Sequence, residues 1–232
     1  MARSVLVLQH VPWEAPGRIA DALARAGVPS ERRTLIDAPS AAVPALDALA
    51  GVVIMGGPMG ADDLEQHPAL AVERDLARRA VDAGIPVLGV CLGHQILARA
   101  LGGALHPGAT REVGVAPISL VADSALGAAG ASLDVLHWHY DNVEAPPGAT
   151  VLARTDGCEN QAFRIGSALA TQFHLEVSPD LLDTWLEVEQ MRAEFEDGGA
   201  LLREQLRVAD IRLRPVADAV FDDFARAALA RG

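Results

Sequence analysis

The chain has 232 residues, a formal charge of -12 and a composition that is half hydrophobic, enough to bury a sizeable core without disulfide or metal staples. That charge argues against nucleic acid and anionic membrane surfaces as partners, since both repel an acidic protein. All nineteen basic residues are Arg, which excludes a lysine Schiff base or P-loop, and two cysteines, Cys91 and Cys158, are too few for a disulfide framework and fit a reducing compartment.

Taken in chain order, the N-terminal run has one charge and too short an apolar stretch for a signal peptide. No later segment approaches membrane-spanning length, so the expectation is a soluble, cytoplasmic protein. Residues 4–9 read as a buried strand and 17–26 as a helix stopped by Gly27. Residues 51–55 form a second apolar strand ending in the loop Gly56-Gly57-Pro58-Met59-Gly60. A helix over 68–83 with a Gly84 stop, a strand over 86–90 and a helix over 93–101 follow. This alternation predicts a single α/β domain, a mainly parallel central sheet flanked by helices on both faces. Residues 113–121, 135–139, 150–153, 161–165 and 168–174 then read as strands with short turns, so antiparallel hairpins are added to the parallel core. From about residue 180 the pattern returns to helix, with a break expected at Pro215 inside 201–230. Nothing splits the chain, and residues 1–232 read as one domain with a helical C-terminal extension.

The segment Gly89-Val90-Cys91-Leu92-Gly93 carries the most chemistry. A buried strand runs into a cysteine with glycines two positions to either side, and a helix follows at once. This is the cysteine form of the G-x-S-x-G nucleophile elbow. A side chain there sits at a helix N-terminus, where dipole and free N–H groups favour thiolate. Cys158, in Asp156-Gly157-Cys158-Glu159-Asn160, has no such setting and reads as structural.

A thiolate needs a base and a group that orients it. Gln172-Phe173-His174-Leu175-Glu176 offers both, since residues i and i+2 of a strand face the same side. In His137-Trp138-His139-Tyr140-Asp141, two imidazoles and a carboxylate share a strand face. Metal binding is one reading, but no third protein ligand is obvious and none is assigned.

Gly89-Val90-Cys91-Leu92-Gly93-His94-Gln95 with Gln172-Phe173-His174-Leu175-Glu176 resembles the signature of class I, triad-type glutamine amidotransferases. The likeness is to stand-alone relatives of the GMP synthase glutaminase domain, and it runs from about residue 51 to 179. It implies a flavodoxin-like fold, Cys91 as nucleophile, His174 as acid and base, and Glu176 as the group that holds the imidazole. It places oxyanion donors at the backbone of Gly57 and Leu92 and substrate contacts at Gln95 and His139, leaving His94 structural. Leu175 stands where the family usually has proline. The implied chemistry is hydrolysis of a glutamine γ-amide or γ-glutamyl bond through a thioester, with no cofactor. One alternative is a glutaminase subunit feeding ammonia to a separate synthetase. A non-catalytic regulatory protein on this scaffold is disfavoured by the intact Cys91, His174 and Glu176.

Overall fold

A computed structural model describes residues 3–35 and 43–232; Met1 and Ala2, which open the N-terminal run, lie outside the described residues. Its centre is a nine-stranded sheet, ordered β2-β1-β3-β4-β11-β10-β9-β6-β7. Strands β1 (Ser4–Leu8), β2 (Ser30–Arg33), β3 (Leu49–Ile54), β4 (Val87–Val90) and β11 (Ala168–Thr171) run parallel. Strands β6 (Glu112–Leu120), β7 (Ser132–His139), β9 (Thr150–Arg154) and β10 (Ala162–Ile165) extend the same sheet with antiparallel pairing. A separate ribbon pairs β5 (Leu105–His106) with β8 (Asn142–Val143).

Composition explains where each strand sits. β3 and β4 are buried at every residue, as parallel strands covered on both faces must be. β6 is only partly buried along its length, the behaviour of an antiparallel strand with one wet face. β2 has the sequence Ser-Glu-Arg-Arg and closes one edge of the sheet. Its lack of any apolar pattern hides it from a sequence reading, and charges on an edge discourage pairing with another chain.

Helices α2 (Ala69–Asp82) and α3 (Leu92–Ala100) cover one face through Leu70, Leu76, Ile96 and Leu97. Helices α1 (Gly17–Arg25), α4 (Pro179–Glu187) and α6 (Ala200–Leu229) contribute to the core on the other, where Ile19, Trp185, Leu206, Leu213 and Phe221 join one cluster. The short α5 (Glu189–Arg192) links α4 towards α6. α4 starts where its sequence dictates: the Ser178 hydroxyl accepts from the Leu181 N–H at 3.1 Å, and Pro179 occupies the first turn.

Two expectations need correction. α6 runs through Pro215 without a break. Pro215 removes the bond to the Ile211 carbonyl, but both residues are solvent-exposed, so water can take that carbonyl's place. β11 stops at Thr171, three residues before His174. His174 instead makes an isolated bridge to Leu136, its N–H donating to the Leu136 carbonyl at 2.9 Å.

Candidate active site

Cys91 caps α3 at the C-terminal end of β4 and has φ +53°, the one non-glycine residue with positive φ among those described. Such a backbone is strained for an L-residue and survives only where its surroundings enforce it. The two glycines are required by contacts across the turn. A Cβ on Gly93 would lie 1.9 Å from the Ile54 carbonyl oxygen of β3, and one on Gly89 would lie 2.5 Å from the Gly93 carbonyl oxygen. The elbow is thus wedged against its neighbouring strand.

His174 lies in the bend after β11. His174 Nδ1 and Glu176 Oε1 are 2.7 Å apart, and both side chains are about fully buried at 1% exposure. Strand alternation does not bring them together, because the strand has ended. Arg18 shapes the bend instead: its Nη1 donates to the carbonyls of Leu175 and Val177 at 3.1 Å each, and its N–H donates to the Glu176 carbonyl. Its Nη2 is paired with Asp210 of α6. Gly17 has φ +42°, and a Cβ there would lie 2.3 Å from the Glu176 carbonyl oxygen, so only glycine lets α1 approach this closely. Leu175 is buried in the core between His174 and Glu176.

Protonation at this centre is shared. Burial pushes the Cys91 thiol up, and contact with the His174 imidazole pulls it back only in part. Burial works to lower the His174 value, yet the Glu176 charge and the Cys91 sulfur outweigh it and hold the imidazole well above its ordinary range. The helix N-terminus therefore does not by itself give a free thiolate, as the sequence pattern leads one to expect. In this arrangement the thiol donates to the Trp138 carbonyl at 3.6 Å, and His174 Nε2 is buried with no hydrogen-bond partner.

Cys91 and His174 both open onto a cavity of about 530 Å³ that is also lined by Gly57, Leu92, Gln95 and His139. Of the catalytic, oxyanion and substrate-contact residues named from the resemblance, only Glu176, behind the imidazole, does not line it. Gly57 packs tightly, since a Cβ would lie 2.9 Å from His10 Cβ and 3.0 Å from Leu92 Cδ2. Leu92 opens α3, whose first N–H groups have no carbonyl within the helix to bond. Gln95 Nε2 donates to Gln172 Oε1 at 3.1 Å, which orients the amide at the cavity floor. His94 is fully buried against Phe163, and burial pushes its imidazole down to about 3. Cys158 is buried with its thiol pushed up to about 11, first by burial.

Sequence reading missed several cavity residues. Glu14, in the loop after β1, is 8% exposed, and burial above all raises its carboxyl to about 7. Its Oε2 lies against Gly56, where a Cβ would sit 2.0 Å away, and it lines the cavity beside Cys91. Trp13, Trp185, Met191 and Glu194 complete the walls, the last three from or near the C-terminal helices. An acid after a strand and aromatics on a distant helix give no local signal of a shared site.

The family model of class-I glutamine amidotransferases matches residues 17–190. A glutamine-hydrolyzing GMP synthase of Thermomicrobium roseum is 37% identical over 132 residues, 55% of this chain and 23% of that protein, so the chain spans less than a quarter of that relative's length. The glutamine amidotransferase-like protein YfeJ of Salmonella typhimurium is 30% identical over 177 residues, 73% of each chain. Among solved structures, a glutamine amidotransferase of Thermotoga maritima superposes with a TM-score of 0.85 at 27% identity, covering 98% of this chain and 99% of that one. One from Methylobacillus flagellatus gives 0.80 at 28% identity over 100% and 94%.

Proposed function

Because the chain belongs to the class I glutamine amidotransferase family, we propose that this enzyme hydrolyses a glutamine γ-amide or γ-glutamyl bond through a thioester on Cys91. In the reacting form the Cys91 proton has already passed to His174 Nε2, the buried nitrogen that has no other partner, and the thiolate of this ion pair attacks the γ-carbonyl carbon. The oxyanion that forms is met by the N–H groups of Gly57 and Leu92; two such donors account for several kcal/mol, roughly 3 each, of barrier lowering. The C–N bond then breaks, His174 returns the proton to the departing amine, and a γ-glutamyl thioester remains. Water, deprotonated by the same imidazole, cleaves the thioester and restores the thiol. Glu176 keeps Nδ1 protonated and the ring aimed at the sulfur throughout.

The observation that carries this reading is the positive-φ Cys91 at a strand-to-helix turn, opening onto the same cavity as an imidazole whose far nitrogen is held by a buried carboxylate. Gln95 and His139 serve as contacts to the glutamyl moiety. A second reading, a glutaminase partner of a synthetase, is favoured by the likeness to the GMP synthases. We take independent hydrolysis as the leading one, and a substrate panel on the chain alone decides between the two.

Glutamine, glutathione and other γ-glutamyl amides should be compared by kcat/KM on the purified chain alone. Turnover of one of them, lost in Cys91→Ala and reduced less in Glu176→Gln, is expected. An electrophilic glutamine analogue should add its mass to the Cys91 peptide and leave Cys158 unmodified. Silence across the panel, reversed by a co-purifying synthetase, transfers the assignment to the subunit reading; labelling of Cys158 alone removes Cys91 as nucleophile.

A further inference from the structure

The β6–β7 hairpin does more than form one wall of the cavity. Glu112 stands directly across from His139 in the ladder, and Gly114 across from His137. Cross-strand neighbours on one face come within side-chain reach, so Glu112 joins both imidazoles although it lies far from them in sequence. His139 Nε2 is 2.9 Å from Glu112 Oε2, His137 Nδ1 is 4.0 Å from the same oxygen, and the three donor atoms lie within 4.8 Å of one another.

The outer nitrogens fix the tautomers. His137 Nε2 lies 3.3 Å from the Ala116 carbonyl and His139 Nδ1 3.2 Å from the Asp141 carbonyl. Carbonyls only accept, so those nitrogens carry the hydrogens and the inner ones of the neutral rings present lone pairs. Two lone pairs then converge on a carboxylate. The Gln161 Nε2 amide, 3.4 Å from His139 Nε2, relieves one contact. It leaves His137 Nδ1, on a side chain 1% exposed, with no partner. The carboxylate is itself braced, as Glu112 Oε1 accepts from Thr155 Oγ1 at 2.6 Å and Oε2 accepts from Gln161 Nε2. Imidazoles tied back to carbonyls, with a carboxylate held by further hydrogen bonds, is the outer arrangement that orients metal ligands.

We propose that Glu112, His137 and His139 form a three-ligand site for a divalent transition-metal ion of the zinc class. Two imidazoles and a carboxylate suit such an ion, and bonds of about 2.0–2.1 Å in a tetrahedral array put donor atoms roughly 3.3 Å apart. The separations of 2.9 and 4.0 Å bracket that spacing, and the two imidazole nitrogens, within 4.8 Å of each other, close on an ion by rotation of their side chains. Because His139 also lines the cavity that holds Cys91, an ion here braces the pocket wall. The two sites share His139, but the place for the ion follows from the hairpin geometry and not from the proposed hydrolysis. Sequence alone assigns no metal because the third ligand is supplied only by strand register.

The test uses full-length Cys91→Ala protein, which removes the competing thiol–imidazole site, after treatment with a chelator. Zinc chloride titrated by calorimetry should bind at one ion per chain and raise the thermal transition. Binding should weaken at least tenfold in Cys91→Ala/Glu112→Gln and in Cys91→Ala/His137→Gln. Cobalt chloride should give the strong visible d–d bands of a tetrahedral ion without a thiolate charge-transfer band. Histidine NMR shifts confined to His137 and His139 on zinc addition give a readout that needs no ligand variant to fold. No binding, binding unchanged by Glu112→Gln, or a charge-transfer band that moves the ion to Cys158 overturns the site.

Discussion

Among the described residues Glu14 has no partner of opposite charge at hydrogen-bond distance, yet it lies buried beside Cys91. Burial, the largest influence, raises its carboxyl from 4.5 to about 7. The folded chain therefore keeps a proton that the unfolded chain releases, and stability falls as pH rises from about 4.5 to about 7, then levels off. At ~1.4 kcal/mol per unit the shift amounts to roughly 3 kcal/mol. Glu14→Gln, uncharged and of equal size, should match wild type in denaturant stability at pH 4 and exceed it by about that amount at pH 8. Equal stability of the two proteins at pH 8 would show that the carboxylate is solvated. Cys158 is the opposite kind of buried group: with its thiol pushed up to about 11 it stays protonated and inert at neutral pH.

At the scale of elements, the decisive piece is a bend. Residues 172–177 carry His174 and Glu176 outside any strand, held by Arg18 of α1 and, behind it, Asp210 of α6. Arg18→Met should cost roughly 3–5 kcal/mol, because it strands a part-buried carboxylate as well as two carbonyls. Pairing it with Asp210→Leu removes the stranded charge and should restore part of that stability. Turnover should stay low in both proteins, mostly in kcat, since the imidazole loses its fixed aim. Recovery of full turnover by the double variant would mean that Arg18 acts through stability alone. The elbow is stiffer: at Gly93 a methyl would run into the backbone of β3, which cannot yield.

Across the whole molecule, the C-terminal helices are part of the core and of the cavity. α6 contributes Leu206, Leu213, Val220 and Phe221 to the cluster that covers one sheet face, and its charged residues pair with Arg18 and Arg25 of α1. Trp185 of α4 stands edge-on to the His174 ring at 4.8 Å between centroids. Ending the chain at residue 199 should uncover that face and abolish the cooperative thermal transition, measured by calorimetry. A truncated chain that still melts sharply and turns over substrate would make α6 an appendage.

The amino-acid order by itself determined the parts whose physics is local. An apolar strand, two spaced glycines and a following helix specify the Cys91 elbow, because a tight strand-to-helix turn leaves no other residues room. Continuous apolar runs and amphipathic stretches likewise specify the parallel core, and a His and Glu two apart announce a paired imidazole and carboxylate. Tertiary structure alone decided what depends on distant segments meeting. It ended β11 early and bent His174 and Glu176 together through Arg18, which no spacing rule contains. It brought Glu14 beside Cys91, set Trp185 against the imidazole, and let α6 pass Pro215 because that face meets water. It also laid Glu112 across from His139, where strand register, a property of two segments at once, makes neighbours of residues that the sequence keeps apart.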